Sequence, residues 1–171
     1  HNVNNSMAAG LAGEVLQLPR EVIRASLHDF VGIPHRLELV GEVEGVRYIN
    51  DSKATNVDAV WYALESMKTP VVWIAGGTDK GNDYSALEGF VREKVHALVC
   101  LGVDNAKLRS AFEGLVDTFV ETRSAEDAVR EAHRLARAGD TVLLSPACAS
   151  FDLFKNYEDR GEQFKQWVKR L

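Results

Sequence analysis

From residue 57 onward the chain alternates between two periods. Apolar residues at helical spacing in VDAVWYALESM (57–67) give way to the continuous apolar run PVVWIAGG (70–77). The same exchange then repeats: a helix around 84–94, the strand HALVCLG (96–102), a helix around 105–115, the strand DTFVET (117–122), a helix over 125–138, the strand DTVLLSP (140–146) and a helix near 157–170. Strands alternating with helices mean βαβ units. The predicted fold is therefore α/β: a Rossmann-like, mostly parallel sheet with helices on both faces. The strands are short and apolar throughout, as strands covered on two faces must be. Ser124 followed by Asp127 reads as a capping box opening the helix at 125.

The region before residue 57 differs. The first thirty residues read as two helices, the second introduced by Pro19, a residue suited to a first helical turn. Gly32 and Pro34 then break the pattern, and GIPH (32–35) marks a boundary. The expected division is a helical segment over 1–32, belonging to a neighbouring domain, and an α/β domain over 33–171. HRLELVGEVEGVRYIND (35–51) holds two extended runs around Glu44-Gly45, a hairpin signal.

Composition narrows the partners. The net charge is −5 with no basic run, which argues against nucleic acid. No apolar run approaches membrane-spanning length and no signal peptide opens the sequence, so a cytoplasmic location with no membrane partner is expected. Cys100 and Cys148 are the only cysteines and form no CxxC pair, so no metal site is expected, and Cys100 reads as a small buried strand residue. His28, His96 and His133 fall singly in predicted helix or strand and read as structural or surface residues.

In such a sheet ligands bind beyond the carboxyl ends of the strands. Four segments stand there: NDSKATN (50–56), GGTDKGND (76–83), GVDNAK (102–107) and SPACASFD (145–152). Each also has a plain structural reading. Asp51, Ser52, Thr55 and Asn56 are all residues that cap helices. Gly76-Gly77 suits a tight turn, and Lys80 a solvated charge. Neither Cys148 nor Ser150 has the histidine partner or GxSxG elbow of a nucleophile. There is no GxGxxG and no GxxxxGK[ST], so the chain lacks a dinucleotide fingerprint and a phosphate-cradling loop of its own.

Four linked stretches nevertheless occur in one order: HNVNN, GIPHRLELVGEVEGVRYINDSKATN, GGTDKG and SPACASFDLFKNYEDRGEQF. Together they resemble the bacterial Mur ligases, and among these the type that joins D-glutamate to UDP-N-acetylmuramoyl-L-alanine in peptidoglycan synthesis. The resemblance runs over essentially the whole chain. Such ligases have an N-terminal domain for the UDP end, a central ATPase and a C-terminal α/β domain. The resemblance implies that residues 1–32 are the helical tail of the central ATP-binding domain and that 33–171 are the C-terminal domain. The P-loop, the magnesium ligands and the modified lysine of the family then lie elsewhere, and the chain is expected to be a fragment.

The family reaction uses ATP to turn the alanyl carboxylate into an acyl phosphate, which the amine of D-glutamate attacks. By resemblance, Asn2 and Asn5 face the adenine. Arg36 approaches the phosphates, Asp51 accepts from the ribose hydroxyls, and Lys53 lies near the phosphates or the acyl phosphate. His35, Arg36 and Lys53 are the implied catalytic groups. Thr55, Lys80, Ser150, Phe151 and Tyr157 form the implied D-glutamate pocket. Family members commonly carry Leu where Phe151 stands and Phe where Tyr157 stands. ATP and Mg2+ are implied for the full-length enzyme, with neither bound tightly by this chain alone, which is expected to be inactive by itself. A sibling ligase for another amino acid, and a free-standing module binding an acidic metabolite or a partner protein, are the competing readings.

Overall fold

A computed structural model describes residues 2–30 and 32–171. The chain forms two compact units, His1–Ile33 and Pro34–Leu171. In the first, α1 (Asn2–Val15) and α2 (Arg20–His28) are joined through a turn at Gln17, whose φ is 57°. A Cβ on Gly13 would meet the Ile23 side chain at 2.9 Å, so the glycine lets the two helices approach. Pro19 stands just before α2, where its missing N–H costs nothing. Met7, Leu11, Val15 and Val22 remain exposed.

The second unit runs β1 (Glu38–Val43), β2 (Val46–Asn50), α3 (Val57–Ser66), β3 (Val71–Ala75), a 3-10 turn (Ser85–Leu87) leading into α4 (Glu88–Lys94), β4 (Val95–Leu101), α5 (Ala106–Phe112), β5 (Thr118–Thr122), α6 (Ala125–Leu135), β6 (Thr141–Leu144) and α7 (Tyr157–Val168). The sheet order is β1-β2-β6-β3-β4-β5. Only the β1–β2 pair is antiparallel. Glu44 (φ 51°) and Gly45 (φ 77°) make the hairpin turn, both in the left-handed region that matches strand twist. A bulge between Leu39 and Gly41 breaks the alternation of β1. As a result Val40 packs on the core while Leu39 is 62% exposed.

Both sheet faces are covered, so period two sorts apolar residues onto two cores. Trp73, Leu98, Cys100 and Leu143 face α3, α4 and α5, with Val60, Leu64, Val91 and Phe112 packed among them. Val72, Ile74, Val99 and Leu144 face α6 and α7, against Ala128, Ala132, Phe164 and Val168. Each large side chain buried this way contributes about 1.5–3 kcal/mol. The helices are held by their caps. Asn56 accepts from Ala59 N at 2.8 Å and Asn156 from Asp159 N at 2.7 Å. Ser124 Oγ accepts from Asp127 N at 3.0 Å, the expected N-cap bond, and donates to the Asp127 carboxylate at 2.7 Å, so the carboxylate takes the hydroxyl in place of the backbone N–H of a capping box. At the other end of α3, Lys94 donates to the carbonyls of Leu64, Glu65 and Met67 at 2.9–3.0 Å. Helices α5, α6 and α7 stop short of their periodic patterns. In α6 the Asp140 carboxylate captures Arg137 N at 2.8 Å and turns the chain toward β6.

Candidate functional site

Because β6 lies between β2 and β3, the loops that follow these three strands meet at one rim. Their backbones are stitched together. Asp51 N donates to Leu144 O (2.7 Å), Ala147 N to Ala54 O (3.0 Å), Gly76 N to Pro146 O (2.9 Å) and Thr78 N to Ala149 O (2.8 Å). Gly77, at φ 127°, passes so close that a Cβ there would stand 2.1 Å from Ala149 O. Gly77 is therefore what allows the second and third loops to touch, while Gly76 fits against the Leu101 backbone of β4.

Trp73 carries this order into the site. Its buried Nε1 donates to Ser145 O at 2.7 Å, and Ser145 Oγ donates to Asp51 Oδ2 at 2.8 Å. The other Asp51 oxygen accepts from Leu37 N at 3.2 Å. Asp51 is 4% exposed. Burial pushes its carboxyl up to about 6, against the opposing pull of Ser145, the Leu37 N–H and the Arg36 charge. The ribose contact expected of Asp51 thus competes with two bonds that already hold its loop. Ser52 also serves architecture. Of the four potential caps in this loop, Asn56 alone caps α3.

Lys53 reaches from the first loop to α7. Its Nζ donates to Tyr157 Oη at 3.0 Å and lies 4.7 Å from that ring's centroid. Its backbone N–H donates to His35 O at 3.0 Å. The His35 ring is buried, its Nδ1 accepts from Asn50 Nδ2 at 3.0 Å, and it lies 3.9 Å from Glu38 and 3.6 Å from Glu162. A Cβ on Gly161 would stand 2.2 Å from His35 Nδ1, so that glycine makes room for the ring. Burial raises the Glu38 carboxyl, but the His35 N–H and the Lys165 ammonium outweigh it and hold Glu38 below its ordinary value. His35 is thus enclosed, and its backbone carbonyl holds the loop of Lys53.

Arg160 was not singled out by sequence reasoning, yet it is the hub of the rim. It is 1% exposed on α7. Nε donates to Ser52 Oγ (3.0 Å), Nη2 to Ser52 O (2.9 Å) and Cys148 O (3.2 Å), and Nη1 to Cys148 O (3.2 Å) and Gly76 O (3.4 Å). One guanidinium therefore joins all three loops. Ser52 Oγ passes the connection on by donating to Tyr157 O at 2.7 Å. Burial pulls the Arg160 guanidinium down to about 10, so it stays charged at neutral pH. The available signal was its helical phase: Arg160 shares the buried stripe of Gly161, Phe164 and Val168, where a charge demands a purpose.

The other expected residues fall as follows. Arg36 is exposed beside Asp51, and Thr55 is half-buried in the first loop. Lys80 is exposed on the second loop, next to Asp79, which accepts from Tyr84 Oη at 2.8 Å and pairs with Lys107 at 3.0 Å. In the third loop Ser150 is buried and Phe151 is 74% exposed. Tyr157 opens α7. Asn5 is exposed on α1 in the other unit, and the side chain of Asn2 lies outside the described residues. Cys148 is buried, and burial pushes its thiol up, away from reactivity. The fourth expected loop, after β4, reaches the rim through Lys107 and through Val103 N, which donates to Asp152 Oδ2 at 3.0 Å. A hollow of about 470 Å³ beyond β4 and β5, bordered by Val103, Asn105, Arg109 and Arg123, shares no residue with the three-loop rim. Among the described residues no group of three or more His, Cys, Asp or Glu could hold a metal ion, and no helix is long and apolar enough to cross a membrane.

Residues 35–148 match the family described as "Mur ligase, glutamate ligase domain". The chain belongs to the Mur ligase family. It is 58% identical over 171 residues to UDP-N-acetylmuramoylalanine--D-glutamate ligase of Christiangramia forsetii, covering all of this chain and 38% of that protein. It is 55% identical over 171 residues to the ligase of the same name from Porphyromonas gingivalis, again covering 38% of the relative. This Mur ligase chain therefore spans about two fifths of the length of the curated relatives it matches. Among solved structures, the Thermotoga maritima UDP-N-acetylmuramate-alanine ligase MurC superposes over 99% of this chain and 37% of that one, with a TM-score of 0.70 at 14% identity. A bifunctional folylpolyglutamate synthase/dihydrofolate synthase from Yersinia pestis, complexed with AMPPNP and Mn ion, covers 90% of this chain and 35% of that one, with a TM-score of 0.62 at 19% identity. These structural likenesses establish the shared fold.

Proposed function

We propose that this chain is the C-terminal part of an ATP-dependent ligase that joins D-glutamate to UDP-N-acetylmuramoyl-L-alanine through an acyl phosphate, acting in the cytoplasm during peptidoglycan synthesis. The observation that carries the reading is identity above 50% along the whole chain to ligases of that name. The rim supports it chemically. Arg36, Lys53 and Lys80 supply cations, and Thr55 and Ser150 hydroxyls, suited to a polyanionic nucleotide and an amino acid with two carboxylates. In this reading Arg36 and Lys53 serve the phosphates, Asp51 accepts from the ribose hydroxyls, and His35 joins Arg36 and Lys53 as the catalytic groups. Thr55, Lys80, Ser150, Phe151 and Tyr157 form the amino-acid pocket. Residues 1–32, with Asn2 and Asn5, are the tail of the central ATP-binding domain. The Mg2+ ligands are assigned to the portion of the longer relatives outside this chain. The test is phosphate release by the full-length protein with ATP, Mg2+ and UDP-N-acetylmuramoyl-L-alanine, comparing D-glutamate with L-lysine and meso-diaminopimelate. Turnover with D-glutamate alone is expected. Preference for either other amino acid overturns the assignment.

A further inference from the structure

In the proposed amino-acid pocket, the ring of Tyr157 can serve as a wall without its hydroxyl. Its hydroxyl has a different neighbourhood. Lys53 Nζ lies 3.0 Å from Oη but 4.7 Å from the ring centroid, so the ammonium is bound chiefly to the hydroxyl rather than to the ring face. The tyrosine is itself fixed. Its ring meets His35 edge-on at 6.1 Å, and its carbonyl accepts from Ser52 Oγ at 2.7 Å. Ser52 is locked in turn by Arg160. Lys53 is also fixed at its root, where its N–H is held by His35 O at 3.0 Å. Both ends of the lysine are therefore tethered to the α7 side of the rim, one through backbone and one through a hydroxyl.

We infer that the Tyr157 hydroxyl is a positioning residue for Lys53, presetting the ammonium at the junction of the phosphate and amino-acid subsites. A free lysine side chain loses rotamer freedom when fixed. A hydroxyl that fixes it beforehand removes part of that loss from the reaction. The ammonium has three donors, and the hydroxyl takes one, leaving two for phosphate or acyl oxygens. The charged and titratable groups facing the pair are His35 from the preceding loop and Glu158 from α7. Hydrogen bonding from Tyr157, with His35 and Lys53 nearby, holds the Glu158 carboxyl below its ordinary value. The hydroxyl thus lies between a cation and an anion, able to accept from one and donate to the other. The kinetic consequence rests on the ligase reading above; the restraint on Lys53 does not.

Tyr157→Phe deletes the hydroxyl and keeps the ring. In this chain, the side-chain ammonium resonance of Lys53, assigned with Lys53→Arg, is expected to be visible at neutral pH and to broaden away in Tyr157→Phe through faster exchange with water. In the full-length ligase, kcat should fall about three- to tenfold, the loss of one hydrogen bond of ordinary net strength. The KM for D-glutamate should change less than twofold, because the ring remains. An unchanged Lys53 resonance in Tyr157→Phe overturns the restraint. A lost resonance with unchanged kcat overturns its role in turnover. Absence of D-glutamate ligation by the wild-type enzyme strikes the functional reading while leaving the resonance test standing.

Discussion

Arg160→Met removes the guanidinium that joins the three rim loops, and the cost can be worked from its contacts. Three buried carbonyls, those of Ser52, Gly76 and Cys148, lose their donor. Leaving a buried acceptor unsatisfied costs about 1–3 kcal/mol each, and the longest of these bonds, 3.4 Å to Gly76, belongs at the low end. The gross penalty is then roughly 3–7 kcal/mol. Against it stands relief from burying a charge, which the Asp152 carboxylate offsets only in part. A guanidinium pulled down to about 10 from 12.5 corresponds to about 3 kcal/mol at 1.36 kcal/mol per unit. The net destabilisation of Arg160→Met should be about 0–4 kcal/mol, and that of Arg160→Lys, which keeps the buried charge, lies toward the gross figure. Urea unfolding of the chain, followed by fluorescence of the buried Trp73, provides the measurement. Arg160→Lys keeps the charge but replaces three separated donor nitrogens, Nε, Nη1 and Nη2, by a single one, so it should destabilise at least as much. If both variants unfold within about 0.5 kcal/mol of wild type, the hub is not energetically real and the reasoning fails.

Asp51→Asn should show a pH-dependent gain. The folded-state value, about 6, lies above the unfolded value, so the contribution is fully present below the unfolded value and is lost as pH rises through about 6. Denaturation at two pH values should show the variant more stable than wild type by about 2–3 kcal/mol at pH 7.5 and nearly equal at pH 4; equal gains at both would count against the buried charge. Lys94→Met strips three bonds from the last turn of α3 and should cost about 1–2 kcal/mol, read by thermal unfolding, with no cost indicating that water replaces the ammonium. In the full-length enzyme, Lys80→Met should weaken D-glutamate use by roughly ten- to a hundredfold with the KM for ATP little changed. Steady-state kinetics varying each substrate in turn tests this, and the reverse pattern would make Lys80 a phosphate ligand.

Local chemistry made most of the α/β unit legible. Period two on apolar strands, 3.6 on the helices, Ser124 and Asn56 at helix starts and Glu44-Gly45 at the hairpin all act within a few residues, so sequence order carries them. The same rules placed the polar loops at strand carboxyl ends, because a parallel sheet brings those ends together. What the sequence did not reveal was strand order. Nothing local in TVLL places β6 between β2 and β3, and that placement alone assembles three loops distant in sequence into one rim. It also decides which polar residues face outward and which are consumed in holding the rim. Asp51 and His35 look like open polar groups as residue types, yet Asp51 is enclosed against Leu37 and Ser145 and His35 against Asn50 and Gly161. Arg160 looks like another helix-surface charge, yet the convergence of Ser52, Gly76 and Cys148 carbonyls makes its buried position tenable. Residue type and spacing determined what each segment can be. Burial and hydrogen-bond partners across long sequence separations depend on the assembled sheet, and only the tertiary structure decided them.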